Sequence, residues 1–268
     1  MKLNMSFANK TIIVTGASSG IGAATAKRFL SLGAKVLLVA RNKEKMEEIF
    51  GSYNANQYRI YPFDLTALDQ INTFVSDIIR KEGPIDIVFN NAGISQFGYF
   101  EDSDLSVLNK IMKLDYFSVV TFTKAILSHM IEKQSGHIVT NTSVAGLIGS
   151  RNRTAYSSAK FALHGFFDSL RSEVAKHNIH ITLIAPGLVQ TNIGKNALTK
   201  SGHTYGKDDR GHANGLSAEA AAKQIISAVK RKKREVIVAK WNDIVWLGIV
   251  LRKYFPWLYF ELAKRIKA

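Results

Sequence analysis

Short apolar runs alternate along the chain with segments in which apolar residues recur every three to four positions. The apolar runs predict β-strands at Thr11–Thr15, Lys35–Ala40, Tyr58–Pro62, residues 85–90, 137–142 and 179–185, and Glu235–Val238. The periodic segments predict helices at residues 21–32, 68–81, 105–133, 155–176 and 218–231. This alternation is typical of an α/β fold, in which a doubly wound parallel sheet has helices on both faces.

The pattern continues without a linker, which favours one domain. The chain has 268 residues, 46% of them hydrophobic, and only four prolines. We expect a domain over residues 1–240 and a C-terminal amphipathic tail over residues 241–268. A long polar loop at about residues 188–216 is predicted to be a lid, since unstructured loops of this length are usually functional or disordered. Its cationic side chains could attract an anionic head group; they are Lys195, Lys200, Lys207 and Arg210, with His203 and His212 beside them.

Composition narrows the classes of function. The chain has no cysteine, which excludes disulfides and thiolate metal sites, and its histidines lack metal-ligand spacing, so we expect no metal. The N-terminus lacks the apolar core of a signal peptide, and no apolar run reaches about 18 residues. We therefore expect a cytoplasmic protein, with membrane association left open. The net charge of +15 admits nucleic acid, anionic lipid or an anionic substrate as partners.

A glycine cluster lies between the first predicted strand and helix. Its glycines permit a tight turn and close approach to a pyrophosphate, and the helix N-terminus offers free N–H groups. An ordinary strand–helix turn is the alternative. The candidate cofactor residues here are Gly16, Ser18, Ser19, Gly20, Ile21 and Gly22.

Arg41 directly follows the second strand, where an acid would hold the ribose 2′-hydroxyl of NAD. An arginine suits a 2′-phosphate instead, so the sequence predicts NADP(H), with a solvated arginine opening a helix as the alternative. After the third strand, Asp64 and Leu65 could bracket the adenine. Asp64 could equally cap the following segment, and both interpretations stay open.

Tyr156 and Lys160 are spaced one helical turn apart and share a helix face. A phenol is a weak base at neutral pH, and a neighbouring cation favours the phenolate. The pair alone is common by chance. Ser143, at the end of the fifth predicted strand, gives it a context, because a hydroxyl there could stabilise a carbonyl oxygen that gains negative charge.

These motifs resemble, in order and approximate spacing, the short-chain dehydrogenase/reductase family over roughly residues 8–240. The matching segments are TGASSGIG at 15–22, NNAG at 90–93, Ser143, the Tyr156/Lys160 pair, and Pro186 and Gly187 with Thr191 beyond. The resemblance implies a single Rossmann-type sheet of about seven parallel strands. It also implies that Tyr156 is the general acid/base, that Lys160 binds the nicotinamide ribose and tunes Tyr156, and that Ser143 orients the substrate oxygen. Further cofactor contacts implied by it fall on Asn90, Asn91, Ala92, Gly93, Pro186, Gly187, Val189 and Thr191.

One position departs from the family pattern. Asp115 stands where the family usually has an asparagine that anchors a water linking the lysine to solvent. A carboxylate can still accept from water and from Lys160, but its charge would raise the pKa of Lys160 and blunt its effect on Tyr156. We expect activity to survive.

The expected substrate wall is mostly apolar, which suits a hydrophobic ketone, aldehyde or alcohol. Its candidates are Ile94, Ser95, Gln96, Phe97, Ala145, Leu147, Ile148 and Leu188. Arg151 and Arg153 could meet an acidic group, although solvated arginines are the favoured interpretation. An NAD-linked hydroxysteroid-type dehydrogenase and a catalytically idle cofactor-binding or membrane-scaffold protein are the competing functions. The family resemblance also implies a homodimer or homotetramer that pairs the helices at 105–133 and 155–176.

The tail combines aromatic, aliphatic and cationic residues. From residue 230 onward the chain has eleven lysines and arginines and only three acids. Five of these cations form the run KRKKR at 230–234. Peripheral membrane contact and packing on the domain or on another subunit are equally favoured, and a nucleic-acid role is disfavoured. The tail and the segment ALTKSGHTYG at 197–206 also resemble a lipid-ketone branch of the family, which includes acyl/alkyl-dihydroxyacetone-phosphate reductases.

Overall fold

The computed structural model describes residues 6–207, 214–241 and 243–265. Its central sheet has seven parallel strands, which are β1 Thr11–Thr15, β2 Lys35–Ala40, β3 Tyr58–Pro62, β4 Ile87–Asn90, β5 Gly136–Asn141, β6 Ile179–Pro186 and β9 Glu235–Val238. Their order across the sheet is β3-β2-β1-β4-β5-β6-β9. Two short strands, β7 Val189–Gln190 and β8 Leu216–Ser217, form a separate parallel pair. All seven predicted strands are therefore present.

Helices cover both faces of the sheet. They are α1 Gly20–Ser31, α2 Lys43–Phe50, α3 Ile71–Glu82, α4 Leu105–Met112, α5 Ser118–Glu132, α6 Thr154–Val174, α7 Ala218–Lys230, α8 Ile244–Tyr254 and α9 Pro256–Arg265. Alternate residues of β1 point to the two faces: Ile12 and Val14 belong to the core under α1, α2 and α7, and Ile13 belongs to the core under α3, α5 and α6. Burial on both faces explains why the strands are continuous apolar runs. The predicted Rossmann-type α/β fold is confirmed.

The strand order reverses at β1, which lies between β2 and β4. Chain segments that leave the carboxyl ends of β1 and β4 therefore run to opposite faces of the sheet and open a crevice between them. Ligands of doubly wound sheets bind in this crevice. The topology thus fixes where the glycine turn after β1 and the NNAG segment after β4 meet.

Two helical segments differ from the prediction. The expected single helix at 105–133 is interrupted by a π-helical turn, Lys113–Phe117, between α4 and α5. Helix α2 was absent from the predicted pattern because it is eight residues long and buries only Met46 and Phe50. The side chain of Asn42 accepts a hydrogen bond from Lys45 N at 2.7 Å and starts this helix.

The described part of the predicted lid is held against the loop after β4. Phe97 N donates to Leu198 O at 2.8 Å, and Leu198 N donates to Ser95 O at 2.9 Å. The rings of Phe97 and Tyr205 lie 4.9 Å apart. Residues 208–213, which include Arg210 and His212, lie outside the described residues. Within the described ranges, no helix is long and apolar enough to cross a membrane.

Candidate active site

The turn after β1 needs glycine at several positions. Gly16 and Gly20 have φ values of +67° and +51°, in the left-handed region. A Cβ on Gly22 would lie 2.3 Å from Gly16 O, so only glycine lets α1 approach the turn this closely. Ser19 precedes α1 without a side-chain capping bond. The first N–H groups of α1 are therefore available to an anion.

A cleft of about 800 Å³ opens beside this turn, at the crevice predicted by the strand order. Its lining brings together most of the cofactor residues predicted from the sequence. Those residues are Gly16, Ser18, Ser19, Gly20, Ile21, Arg41, Asp64, Leu65, Asn91, Ala92, Gly93 and Thr191. The size of the cleft and the free helix N-terminus fit a dinucleotide with a pyrophosphate.

Four other predicted cofactor residues, Asn90, Pro186, Gly187 and Val189, are not part of the cleft lining. The side chain of Asn90 is buried and donates to Thr123 Oγ1 at 3.1 Å, so it braces β4 against α5. Pro186 ends strand β6, Val189 is buried in β7, and Gly187 packs against the side chain of Val245.

Charge is concentrated at the β2 and β3 end of the cleft. Arg41 and Lys113 line it together with Asp64. Burial disfavours the charge on Asp64, but hydrogen bonds from Thr66 and the cations Arg41 and Lys113 outweigh it, so the pKa of Asp64 lies below its usual value. Because Asp64 Oδ1 accepts from both Thr66 N and Thr66 Oγ1 at 2.9 Å, the turn-capping interpretation of Asp64 holds alongside its place in the lining.

An asparagine network that the sequence analysis missed joins β1, β4 and β5. Asn91 N donates to Thr15 Oγ1 at 2.9 Å, and Asn141 Nδ2 donates to Asn91 Oδ1 at 3.0 Å. Asn141 also lines the cleft, and its Oδ1 is buried without a partner among the described residues. The available signal was its position at the end of β5, two residues before Ser143.

Tyr156 and Lys160 are both buried in the first turns of α6. Lys160 Nζ lies 5.5 Å from the centre of the Tyr156 ring and 3.1 Å from Asp115 Oδ2. It also donates to Asn141 O at 3.4 Å. A Cβ on Gly93 would lie 3.3 Å from Lys160 Nζ and 2.9 Å from the same carboxylate oxygen. The lysine is therefore directly behind the cleft-lining residues Gly93 and Asn141.

Asp115 occupies the centre of the π-helical turn and is fully buried. Its Oδ1 accepts from Ile94 N at 2.9 Å, while its Oδ2 faces Lys160. Burial raises the pKa of Asp115 above its usual value. Burial alone would lower the pKa of Lys160, but attraction to Asp115 and Tyr156 raises it above its usual value. Lys160 is thus held as a cation whose charge is largely balanced.

Ser143 begins a single 3₁₀ turn, Val144–Gly146, after β5. Its Oγ accepts from Ala145 N at 3.1 Å. A Cβ on Gly146 would lie 2.8 Å from Lys160 O, so this turn packs directly on the backbone of α6. The fold therefore brings Ser143, Tyr156, Lys160 and Asp115 to one end of the sheet, beside the cleft.

Comparison with known proteins agrees with this geometry. Residues 10–202 match the model of the short chain dehydrogenase family. The chain is 37% identical over 260 residues to dehydrogenase/reductase SDR family member 7B from Mus musculus, covering 95% of this chain and 80% of the relative. It is 38% identical to an SDR family protein 7-like from Anopheles gambiae, covering 97% and 84%.

The chain belongs to the short-chain dehydrogenase/reductase family. It is therefore an oxidoreductase that acts on CH–OH and C=O groups. Among solved structures, it matches a short-chain dehydrogenase from Streptomyces avermitilis with a TM-score of 0.80 and 26% identity, covering 96% of this chain and 98% of that one. It also matches a metagenomic short-chain oxidoreductase in complex with NADP, with a TM-score of 0.70 and 26% identity, covering 87% and 98%.

The loop after β4 contains residues that the sequence predicts for the substrate wall. Gln96 is buried, and its Oε1 accepts from Ala155 N at 3.0 Å, so it caps the start of α6. Arg153 lies over the Phe97 ring at 4.4 Å and donates to Ser95 Oγ at 3.1 Å. The prediction of a solvated Arg153 is therefore wrong, because this half-buried side chain is stacked and hydrogen-bonded.

Proposed function

We propose that the protein is an NADP(H)-dependent oxidoreductase of a hydrophobic ketone, aldehyde or alcohol, with Tyr156 as general acid/base. The proposal places the catalytic domain at residues 1–240, with a lid at about 188–216. The observation that carries it is the buried Tyr156 and Lys160 pair beside a cleft that fits a dinucleotide. A family member that only bound a coenzyme would have no use for a buried lysine aligned with a buried phenol.

In this proposal each side chain has one task. The bound coenzyme supplies a nicotinamide that exchanges a hydride with the carbonyl carbon of the substrate. Tyr156 gives its phenolic proton to the substrate oxygen in reduction and takes it back in oxidation. The Ser143 hydroxyl donates to the same oxygen and holds it towards the phenol. Lys160 stabilises the phenolate that remains, and Asp115 positions Lys160.

Exchange of Tyr156 for phenylalanine tests the acid/base assignment. Tyr156→Phe removes the proton and keeps the ring, so we expect turnover to fall by about 10²-fold or more while NADPH binding stays near wild type. Tyr58→Phe, in strand β3 on the far edge of the sheet, is the matched control and should keep full activity. Retention of turnover by Tyr156→Phe would refute the proposed mechanism.

The preference for NADP(H) rests on Arg41. This arginine lines the cleft directly after β2, and the nearest acid in the lining, Asp64, is engaged by Thr66. A guanidinium there pairs with a 2′-phosphate that a carboxylate would repel. Similar structures have been solved with NADP and with NAD, and the one with NAD is only 19% identical.

Kinetics with both coenzymes test this preference. We expect kcat/KM to be at least about tenfold higher with NADPH than with NADH, because a charge-assisted pair contributes about 1.5–3 kcal/mol. Arg41→Gln should remove most of the difference by weakening NADPH alone. A wild-type preference for NADH would overturn the assignment.

Ile94 and Leu198, which line the cleft, support a hydrophobic substrate. NADPH consumption over a series of ketones of increasing apolar size would test this class.

We further propose a homodimer or homotetramer that pairs α4–α5 and α6 with their copies. Phe117 and Phe161, on the two paired segments, are exposed to 50% and 42% in the single chain. In analytical ultracentrifugation, we expect wild type to sediment as an oligomer and Phe161→Glu to sediment as a single protomer.

A further inference from the structure

Large apolar side chains are exposed mainly at the C-terminal end of the chain. Among the described residues, sixteen large apolar side chains are exposed, and nine of them lie between residues 241 and 262. These nine define the tail surface: Trp241, Ile244, Leu247, Val250, Tyr254, Phe255, Trp257, Phe260 and Leu262. All three tryptophans of the protein are at positions 241, 246 and 257. Trp241 is 93% exposed and Trp257 is 69% exposed.

Helix α8 turns an apolar face outward. Ile244, Leu247, Val250 and Tyr254 recur every three to four residues, which places them along one exposed side. The opposite side is anchored through Val245, which packs with Val144 and Ala239. A helix whose outer face contacts only water would carry polar residues on that face. A contiguous apolar patch of this kind marks an interaction site.

The tail surface adjoins the substrate side of the active site. Val245 packs against Gly187. A Cβ added to Gly248 would lie 3.1 Å from Ile148 Cδ1. Tyr259 Oη donates to Gly149 O at 3.0 Å. Ile148 and Gly149 belong to the segment that follows Ser143, and Gly187 follows β6. In the proposed function Ser143 holds the substrate oxygen, so whatever covers the tail surface lies beside the substrate entrance that this function requires.

Cations lie beside the tail surface: Arg252 is 5.1 Å from the centre of the Phe260 ring, and Lys253 is 5.2 Å from the centre of the Tyr254 ring. Lys240, Arg252, Lys253, Lys264 and Arg265 outnumber Asp243 and Glu261 among the described residues from 240 to 265. The basic run at 230–234 precedes the amino end of β9, whereas the tail follows its carboxyl end, so that run lies at the opposite end of the sheet. The basic border of the tail surface is a feature of the tail itself.

We propose that α8 and α9 dock the protein on an anionic bilayer and set the substrate entrance against it, so that the substrate is a carbonyl or alcohol dissolved in the membrane. This inference rests on the proposed function. A two-fold contact with a second copy would bring the two basic borders together, which like-charge repulsion disfavours. Anionic head groups match the border, and exposed tryptophans favour the bilayer interface.

Vesicle flotation of the full chain tests the docking. The vesicles are phosphatidylcholine with or without phosphatidylglycerol, and the variants are Leu247→Glu, in the tail surface, and Leu105→Glu, which is 64% exposed outside it. Both variants change the net charge equally. We expect Leu247→Glu to lose about tenfold or more in binding to the anionic vesicles, and Leu105→Glu to bind like wild type. Because every tryptophan is in the tail, emission should shift to the blue on binding in wild type and much less in Leu247→Glu.

Measurements of turnover distinguish a failure of the docking proposal from a failure of the proposed function. Leu247→Glu should keep wild-type turnover of a water-soluble ketone and lose turnover of a long-chain ketone presented in the vesicles. Equal vesicle binding by Leu247→Glu and Leu105→Glu would overturn the docking, and so would a wild type that does not float. A Leu247→Glu variant that sediments as a smaller species than wild type would assign the surface to a second copy instead. Vesicle binding without turnover of any ketone would leave the docking intact and refute the proposed function.

Discussion

Exchange of Asp115 for asparagine probes the charge balance behind Tyr156. The asparagine has the same shape and keeps an oxygen for Ile94 N, so the hydrogen bond of 2.9 Å can persist. What it removes is one negative charge at 3.1 Å from Lys160 Nζ. The variant therefore changes the electrostatics of the site with little change in its packing.

The size of the effect follows from the distances. At 3.1 Å and an effective dielectric constant of about 20, the attraction within the pair is about 5 kcal/mol. Removal of the carboxylate leaves the buried Lys160 without its counter-charge, so we expect Asp115→Asn to lower the free energy of unfolding by about 3–5 kcal/mol. The carboxylate lies no more than about 9 Å from the centre of the Tyr156 ring. At the same effective dielectric constant, its removal lowers the energy of a negative charge on the ring by about 2 kcal/mol.

The assay is the pH dependence of kcat/KM for alcohol oxidation, measured beside chemical unfolding. The Asp115→Asn profile should differ from that of wild type in its pH dependence, and the maximal rate should stay within about tenfold of wild type. Asp86→Asn is the control, because Asp86 is a half-buried carboxylate that pairs with Lys10 and Lys133 away from the cleft. It should lose stability without moving the profile. Loss of turnover in a stably folded Asp115→Asn would refute the charge-balance reasoning.

Two further substitutions test packing and titration. Gly93→Ala would place a Cβ 2.9 Å from Asp115 Oδ2, so turnover should fall by about tenfold or more, whereas Gly149→Ala, with no atom within 4 Å of its added Cβ, should be neutral in the same rate assay. Burial lowers the pKa of His137 to about 3, so the stability that depends on its neutral form is full above about pH 6.5 and is lost as the pH falls towards 3. His137→Gln keeps a donor for Thr182. Its melting temperature should fall less over this range than that of wild type, and an equal fall would contradict the assignment.

The sheet could be predicted because its strands are buried on both faces. Ile12, Ile13 and Val14 serve two cores at once, which yields an uninterrupted apolar run that a surface strand would not have. The glycine turn could be predicted because Gly22 has no space for a side chain. Helix α2 escaped prediction because Met46 and Phe50 are too few to establish a period.

The π-helical turn and Asn141 lie beyond what the pattern contains. One extra residue in a helical turn shifts the apolar period too little to be seen within a long amphipathic segment. The shift nevertheless determines which side chain reaches Lys160, since Asp115 is at the centre of that turn. A single asparagine at a strand end carries no periodicity either, and its value became visible only through its contacts with Asn91 and Lys160.

Asp115 serves the proposed reaction both as a link between two elements and as a charge. Its Oδ1 holds the loop after β4 through Ile94 N, and its Oδ2 holds α6 through Lys160, so one carboxylate joins the cleft wall to the catalytic helix. The same carboxylate reduces the positive field of Lys160 at Tyr156. A mechanical link and a charge beside the proton-transfer step therefore act through one residue. Because the equilibrium constant fixes the ratio of the two directions, Asp115→Asn should change kcat/KM for oxidation and for reduction by the same factor at one pH, and no change in either direction would mean that the carboxylate acts only as a mechanical link.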